Sequence, residues 1–343
     1  MASFLTSKCG PLKGSIKVPG DKSISHRSIM LGSIATGITK VSGFLEGEDS
    51  LATLNSFKEM GVEIERKGSN VTINGVGMHG LREPAKPLNL GNSGTSIRLM
   101  SGLLSAQSFD SVLCGDESLS KRPMARVIDP LRKMGADISG SESKPPLMIK
   151  GGKKLSSLEY KLPVASAQIK SCLLLAGLYA DGETHIIENG ISRDHTERML
   201  RGFGYKVTTS PGHVSILGGG ILKACDIEVP SDISSSAFFM VAASIAKEAD
   251  ITLLAVNVNP TRTGVIDILR LMGANIELSN ERLEAGELIA DIRVQSSNLK
   301  GIEIPEHLVP LAIDEFPVIF IAASCAQGET VLTGAKELRV KES

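Results

Sequence analysis

VPGDKSIS (residues 18–25) and VPSDISSS (residues 229–236) are nearly the same eight letters, written 211 positions apart in one chain. Each follows a short alternating apolar run, residues 16–18 in the first case and 227–229 in the second. A Pro then interrupts the strand and an Asp stands where a helix N-cap belongs. Small and apolar residues follow at helical spacing. Both stretches read as a strand end followed by a Ser/Asp-rich helix start.

The remainder of the chain explains the duplication. FKEMGVEI, LRKMGADI, LRGFGYKV and LRLMGANI each end a helical pattern on a glycine, at Gly61, Gly135, Gly204 and Gly273, spaced 74, 69 and 69 residues apart. In each, an amphipathic helix meets a Gly in the C-cap region and an alternating strand follows. A small-residue helix precedes every copy: SHRSIMLGSIA, TSIRLMSGLLS, AQIKSCLLLAGLYA and SSAFFMVAASIA, with a fifth in EFPVIFIAASCA. Short strands such as GITKVSG, GETHIIE, ADITLLA and GETVLTG come after these helices. The unit is about 70 residues of helix, strand, helix and one or two strands.

Since 211 residues is close to three units, the expected organisation is two lobes of three units. One lobe is residues 21–228. The other combines residues 1–20, whose strand belongs with the second half, with residues 229–343. The links near residues 18–21 and 229–232 read as a hinge, and the space between lobes as the default site. The fifth unit reaches ELRVKES without a closing Met-Gly, and no sixth follows. The expectation is a chain lacking its last one and a half units, about 90–100 residues. Its first half is expected to fold while the whole lacks activity.

Composition narrows the function classes. The chain has 343 residues and net charge −1, with no Trp and three Tyr. Nothing global favours nucleic acid or an anionic membrane, and base-stacking platforms are scarce. No signal peptide is apparent. The apolar stretch 308–326 is interrupted by Asp314, Glu315 and Pro317 and reads as a core helix. Five scattered cysteines without a C-x-x-C pair suggest small core residues of a cytoplasmic protein. Six His with no H-x-x-x-H pair argue against a metal.

The first helix of each unit starts with small polar residues, whose free backbone N–H groups favour anions. Lys22, Arg27, Arg98, Lys121, Arg122, Arg193 and Lys341 stand beside these starts. For one unit, ordinary capping beside a solvated cation explains as much. Recurrence in register points to small, strongly anionic substrates. GDKS fails as a phosphate loop because Asp21 intervenes and the Gly-x4-Gly-Lys spacing is absent, and LGGG at residues 217–220 reads as a turn.

GDKSISHRS, LGNSGTSIRLM, GDESLSKRPM, SAQIKSCLLLAG, SRDHTERML, DEFPV and LRVKES, in this order from end to end, resemble the 5-enolpyruvylshikimate-3-phosphate synthase family. The resemblance implies an α/β (α+β) fold of the inside-out α/β barrel type, two pseudo-symmetric lobes of three units each. It also implies transfer of the enolpyruvyl group of phosphoenolpyruvate to the 5-hydroxyl of shikimate 3-phosphate, with release of phosphate. No cofactor or metal is implied, and the expected protein is a monomer when complete.

Residue by residue, the resemblance assigns Lys22, Ser23 and Arg27 to the phosphate ester and carboxylate of shikimate 3-phosphate, Lys22 being shared with phosphoenolpyruvate. Ser166, Ala167, Gln168 and Arg193 match its phosphate contacts, Ala167 through backbone only where some members carry Ser. The competing reading of Arg193 is a surface arginine beside Asp194. Gly94 and Arg122 match the phosphoenolpyruvate site, with Gln168 shared and Asn92 assisting. A bland reading makes Arg122 a first-turn arginine. Asp314 matches the base facing the 5-hydroxyl, with an N-cap as its other reading. Lys341 and Glu342 match the contact to the sugar-side hydroxyls and the proton shuttle to the phosphoenolpyruvate methylene. The family's later phosphoenolpyruvate contacts have no counterpart before Ser343.

Two alternatives compete. The sister UDP-N-acetylglucosamine carboxyvinyltransferases would show Lys-Asn in place of Lys22-Ser23 and a reactive Cys near Lys121, whereas SLSKRPM has none. A non-catalytic anion-binding repeat protein would not need Lys22, Arg27, Asp314 and Glu342 together.

Overall fold

The computed structural model describes Leu5, Ser7 and residues 10–340. They separate into two compact units. The larger is Gly20–Val229 with Leu283–Glu287; the smaller is the described part of Met1–Pro19, Pro230–Arg282 and Leu288–Ser343.

The strand β1 (Lys13–Ile16) comes first. Three successive repeats follow in the larger unit. The first holds α1 (Lys22–Ile34), β2 (Thr36–Ser42), α2 (Glu48–Glu59), β3 (Glu63–Lys67) and β4 (Asn70–Val76). The second holds β5 (Leu88–Asn89), α3 (Gly94–Leu104), β6 (Ser111–Cys114), α4 (Glu117–Ser120), α5 (Ala125–Lys133), β7 (Asp137–Ser139) and β8 (Leu147–Lys150). The third holds β9 (Glu159–Lys161), α6 (Ala167–Gly177), β10 (Glu183–Ile187), α7 (His195–Gly202), β11 (Val207–Ser210) and β12 (His213–Leu217). After β13 (Ile227–Glu228) the smaller unit continues with α8 (Ile233–Ile245), β14 (Asp250–Asn257), α9 (Gly264–Leu271), β15 (Asn275–Glu284) and β16 (Glu287–Gln295). It ends with β17 (Glu303–Ile304), α10 (Phe316–Ser324) and β18 (Val331–Leu332).

The repeat is visible in the sheets. Their orders are β13-β2-β4-β3, β5-β6-β8-β7, β9-β10-β12-β11 and β1-β14-β16-β15, with a two-stranded β17-β18. The leading pair is parallel in all five. Each repeat is thus a strand, a small-residue helix, a parallel strand, an amphipathic helix and a hairpin. Ile16 lies opposite Leu253 and Ile227 opposite Val41. The two V-P stretches therefore follow edge strands that pair with partners distant in sequence.

Local chemistry accounts for the helix ends. The Asp21 carboxylate accepts from the Ile24 N–H at 2.9 Å, and Asp232 accepts from the Ser234 N–H at 2.7 Å. Both are N-caps that satisfy otherwise unpaired donors. At the opposite ends of the amphipathic helices, Gly61, Gly135, Gly204 and Gly273 have φ of +86°, +96°, +77° and +94°. Glycine adopts that left-handed conformation without a Cβ penalty.

Each unit has its own apolar core, residues 24–229 contributing to one and 233–322 to the other. In the larger core the small-residue helices approach closely. A Cβ on Gly102 of α3 would lie 2.0 Å from the Cys172 carbonyl oxygen of α6, so only glycine permits this crossing.

Three expectations are corrected. Residues 308–326 are not one helix: a 3-10 segment (Glu306–Leu311) is separated by a turn from α10. Among the described cysteines only Cys172 is a buried core residue; Cys114 and Cys225 are half-buried, Cys325 is exposed, and Cys9 lies outside the described residues. Arg122 is in no helix's first turn. Pro123 breaks SLSKRPM, leaving Arg122 in the link between α4 and α5. No described helix is long and apolar enough to cross a membrane.

Candidate functional site

In the larger unit, the starts of α1, α3, α6 and α7 carry the expected anion-binding residues. Ser93 caps α3 by accepting from the Ser96 N–H at 3.1 Å, and Ser166 caps α6 by accepting from the Ile169 N–H at 3.4 Å. The first residues inside these helices are Gly94 and Ala167. Their N–H groups belong to the first turn, where no intrahelical acceptor exists.

Guanidinium groups surround the α3 start. A Cβ on Gly94 would sit 2.8 Å from Arg98 Nη1 and 2.9 Å from Arg122 Nη1. The absence of that methyl lets two cations approach one helix N-terminus. Arg122 Nη2 donates to Asn92 Oδ1, which holds it over this end. Arg98 Nη1 donates to Gln168 Oε1 at 3.0 Å, and Gln168 Nε2 donates to Thr95 Oγ1 at 3.3 Å. Gln168 thereby joins the α6 start to the α3 start.

Arg27 is buried on α1. Its Nε donates to Thr196 Oγ1 at 2.7 Å, Nη1 to the Ser23 carbonyl at 2.9 Å and Nη2 to Ser171 Oγ at 3.0 Å. One side chain thus ties α1, α6 and α7. Burial lowers its pKa to about 10, with Arg193 adding in the same direction, while Glu197, Asp21 and Glu287 oppose the shift. It stays charged at neutral pH. Lys22 is exposed, with its Nζ 3.4 Å from Asp49 Oδ2.

Several participants carry no catalytic signature in sequence. His26 is fully buried, with Nδ1 2.8 Å from Thr53 Oγ1 and 3.3 Å from Ser96 Oγ. Burial, then Lys22 and Arg27, lower its pKa to about 3, so the ring is neutral. Lys170 of α6 is buried between Glu188 Oε2 at 2.9 Å and Glu197 Oε1 at 2.8 Å. Burial opposes its charge, but the two carboxylates outweigh burial and raise its pKa. Burial raises Glu197 against the pull of Lys170. The one available hint was a lysine inside SAQIKSCLLLAG, an otherwise small and apolar helix.

In the smaller unit the helix starts have another character. Arg262 is buried, with Nη2 2.6 Å from Ser234 Oγ, 3.5 Å from Glu315 Oε1 and 3.8 Å from Asp232 Oδ1. Ser234 Oγ also donates to Glu315 Oε1. One guanidinium therefore links the starts of α8 and α10. Asp314 is half-buried in the turn before α10. Glu315, one residue on, stands at the N-cap position of α10 and makes no side-chain cap bond there. Lys341 and Glu342 lie outside the described residues.

A repeated α/β scaffold that gathers cations at its helix starts defines an enzyme class acting on small anions, here a transferase. The chain belongs to the EPSP synthase (3-phosphoshikimate 1-carboxyvinyltransferase) family, whose model matches residues 6–343. It is 68% identical over 343 residues to the 3-phosphoshikimate 1-carboxyvinyltransferase of Ruthia magnifica subsp. Calyptogena magnifica, covering 100% of this chain and 79% of that one. Against the corresponding protein of Alkalilimnicola ehrlichii it is 63% identical over 336 residues, covering 97% and 75% of the two chains. The solved EPSP synthase from Acinetobacter baumannii superposes with a TM-score of 0.91 at 62% identity, over 97% of this chain and 76% of that one. Neither competing reading, the sister carboxyvinyltransferase or the non-catalytic repeat protein, is favoured by these matches.

Proposed function

We infer that the chain belongs to an enzyme that transfers the enolpyruvyl group of phosphoenolpyruvate to the 5-hydroxyl of shikimate 3-phosphate and releases phosphate. The observation that carries this reading is the α3 start, where Gly94 leaves room for Arg98 and Arg122 at one helix N-terminus. A phosphate there meets free N–H donors and two planar cations. In this reading Arg122, Gly94, Lys22 and Gln168 receive phosphoenolpyruvate. Lys22, Ser23, Arg27, Ser166, Gln168, Arg193 and the Ala167 backbone receive shikimate 3-phosphate.

The chemistry is an addition followed by an elimination. Asp314 takes the proton of the 5-hydroxyl as its oxygen bonds to C2 of phosphoenolpyruvate. The methylene gains a proton from Glu342, giving a tetrahedral centre. The C2–O bond to phosphate then breaks as Glu342 recovers a proton from the new methyl, and Asp314 returns its proton to the departing inorganic phosphate. Lys341 contacts the sugar-side hydroxyls. No step changes oxidation state overall, so the residues need only position charge and move protons. The small-residue core and scattered thiols fit a cytoplasmic protein.

Calorimetric titration with shikimate 3-phosphate, beside UDP-N-acetylglucosamine, tests the reading. Saturable binding of the first and none of the second is expected. Binding of the nucleotide sugar, or of neither, would overturn it.

A further inference from the structure

We propose that Lys170 is a positioning residue for Arg193: it grips the loop on both sides of Arg193 and fixes that loop against the start of α6. Lys170 is 1% exposed, a state lysine adopts almost only when paired. Its Nζ lies 2.9 Å from Glu188 Oε2, 2.8 Å from Glu197 Oε1 and 3.4 Å from the Ser192 carbonyl oxygen. These three acceptors all lie in residues 188–197, the link from β10 into α7, with Arg193 among them. An ammonium has three N–H donors, so one donor is available for each acceptor.

The loop is closed on itself as well. Ser192 Oγ donates to Glu188 Oε1, and Arg198 Nε donates to Asp194 Oδ1 at 2.8 Å. Thr196, beside Glu197, receives Arg27 Nε and donates to Ser171 Oγ at 2.7 Å. The segment around Arg193 is thus held from α6 by Lys170 and Ser171, and from α1 by Arg27. Lys170 stands two positions after Gln168 on the same helix. Its grip sets the distance between Arg193 and the Ser166–Gln168 turn. A cation that must meet a phosphate beside a helix N-terminus gains affinity from being held there before the ligand arrives.

This inference rests on the reading of Arg193 as a contact to the phosphate of shikimate 3-phosphate, and the experiment separates the two. Shikimate 3-phosphate is titrated calorimetrically into the 343-residue chain and its Lys170→Met, Arg193→Ala and doubly substituted variants. Unchanged affinity in Arg193→Ala removes the underlying contact, and the proposal with it. Given a loss there, Lys170→Met is expected to weaken binding about tenfold. The double variant is expected to be no weaker than Arg193→Ala alone. Losses that multiply would show that Lys170 does not act through Arg193.

Lys170→Met leaves two carboxylates without their cation, so a gentler pair guards against misfolding. Glu188 is 11% exposed. Glu188→Gln keeps its amide oxygen as the acceptor for Lys170 and can turn its NH2 to donate to the Ser192 hydroxyl, and affinity within about twofold of wild type is expected, whereas Glu188→Ala should lose about fivefold or more. A merely structural role would not give this rescue. Equal affinity in both variants would overturn the proposal.

Discussion

The small-residue helix occupies the same place in every repeat, yet the charges gathered at its start differ between the two units. In the larger unit α1, α3 and α6 begin among Lys22, Arg27, Arg98 and Arg122. In the smaller unit α8 and α10 begin among Asp232, Asp314 and Glu315, with Arg262 buried between them. The helix N-terminus favours negative charge in both cases. Asp21 and Asp232 meet that preference alike at α1 and α8; at α3 and α6 the caps are neutral serines, which leave it for a ligand, whereas α10 begins beside Asp314 and Glu315. A common scaffold thus gathers cations at helix starts of the larger unit and carboxylates at those of the smaller one. The side faces differ too. The small-residue helices α1, α3 and α6 of the larger unit are largely buried, whereas α8 and α10 expose Phe238, Phe239, Phe320 and Ile321.

The sharpest test of this contrast is a substitution in each unit. Asp314→Ala, made in an active chain, should keep shikimate 3-phosphate affinity while lowering kcat by roughly 10²- to 10⁴-fold, the usual scale of a lost general base. Near wild-type kcat would remove Asp314 from that role. Arg122→Ala should do the reverse. Phosphoenolpyruvate should weaken about 10- to 100-fold, the scale of one charge-assisted hydrogen bond, with shikimate 3-phosphate much less affected. Equal losses for both ligands would erase the assignment.

A smaller effect probes the cationic side without substrate. His26 has a folded pKa of about 3 against an ordinary 6.5. The neutral ring is therefore favoured by folding. That stabilisation is complete about a unit or more above pH 6.5 and is lost as pH falls through 6.5 towards 3. Between pH 6.5 and 5.5 roughly 1 kcal/mol should disappear, a slope that His26→Gln should flatten. Denaturant midpoints at the two pH values measure it, and an unchanged slope in the variant would assign the loss elsewhere.

The mildest change is at Gly94. Its alanine methyl would meet Arg98 Nη1 and Arg122 Nη1, both ends of flexible side chains. Those groups have to yield, narrowing the space offered to phosphoenolpyruvate. The inhibition constant of glyphosate, which competes for that site in the family, should rise several-fold on the scale of about 1 kcal/mol. An unchanged constant would place Gly94 away from the pocket.

What was legible in sequence is what local chemistry decides. Asp21, Ser93, Ser166 and Asp232 cap helices because their own neighbours supply the N–H groups. The C-terminal glycines follow from backbone geometry, and the repeat from their spacing. Arg122 was displaced from its expected helix turn because a short α4 ends before Pro123, a boundary that weak local preferences do not mark. Lys170 was passed over because its partners Glu188 and Glu197 lie 18 and 27 positions away, and only the tertiary fold brings them to it. The pairing of Arg262 with Glu315 escaped for the same reason.

The place of β1 has a consequence for the order of events during synthesis. Residues 13–16 are made first, but their partner in the sheet is residues 250–253. At about 5–20 residues per second, a ribosome takes roughly 10–50 s to cover that interval. By the end of this time Gly20–Val229, nearly all of the larger unit, has been made. The nascent N-terminal strand must meanwhile keep its edge unpaired, and so is exposed to chaperones and to wrong partners. The contact is of very high order, and its formation should be among the slow steps of folding.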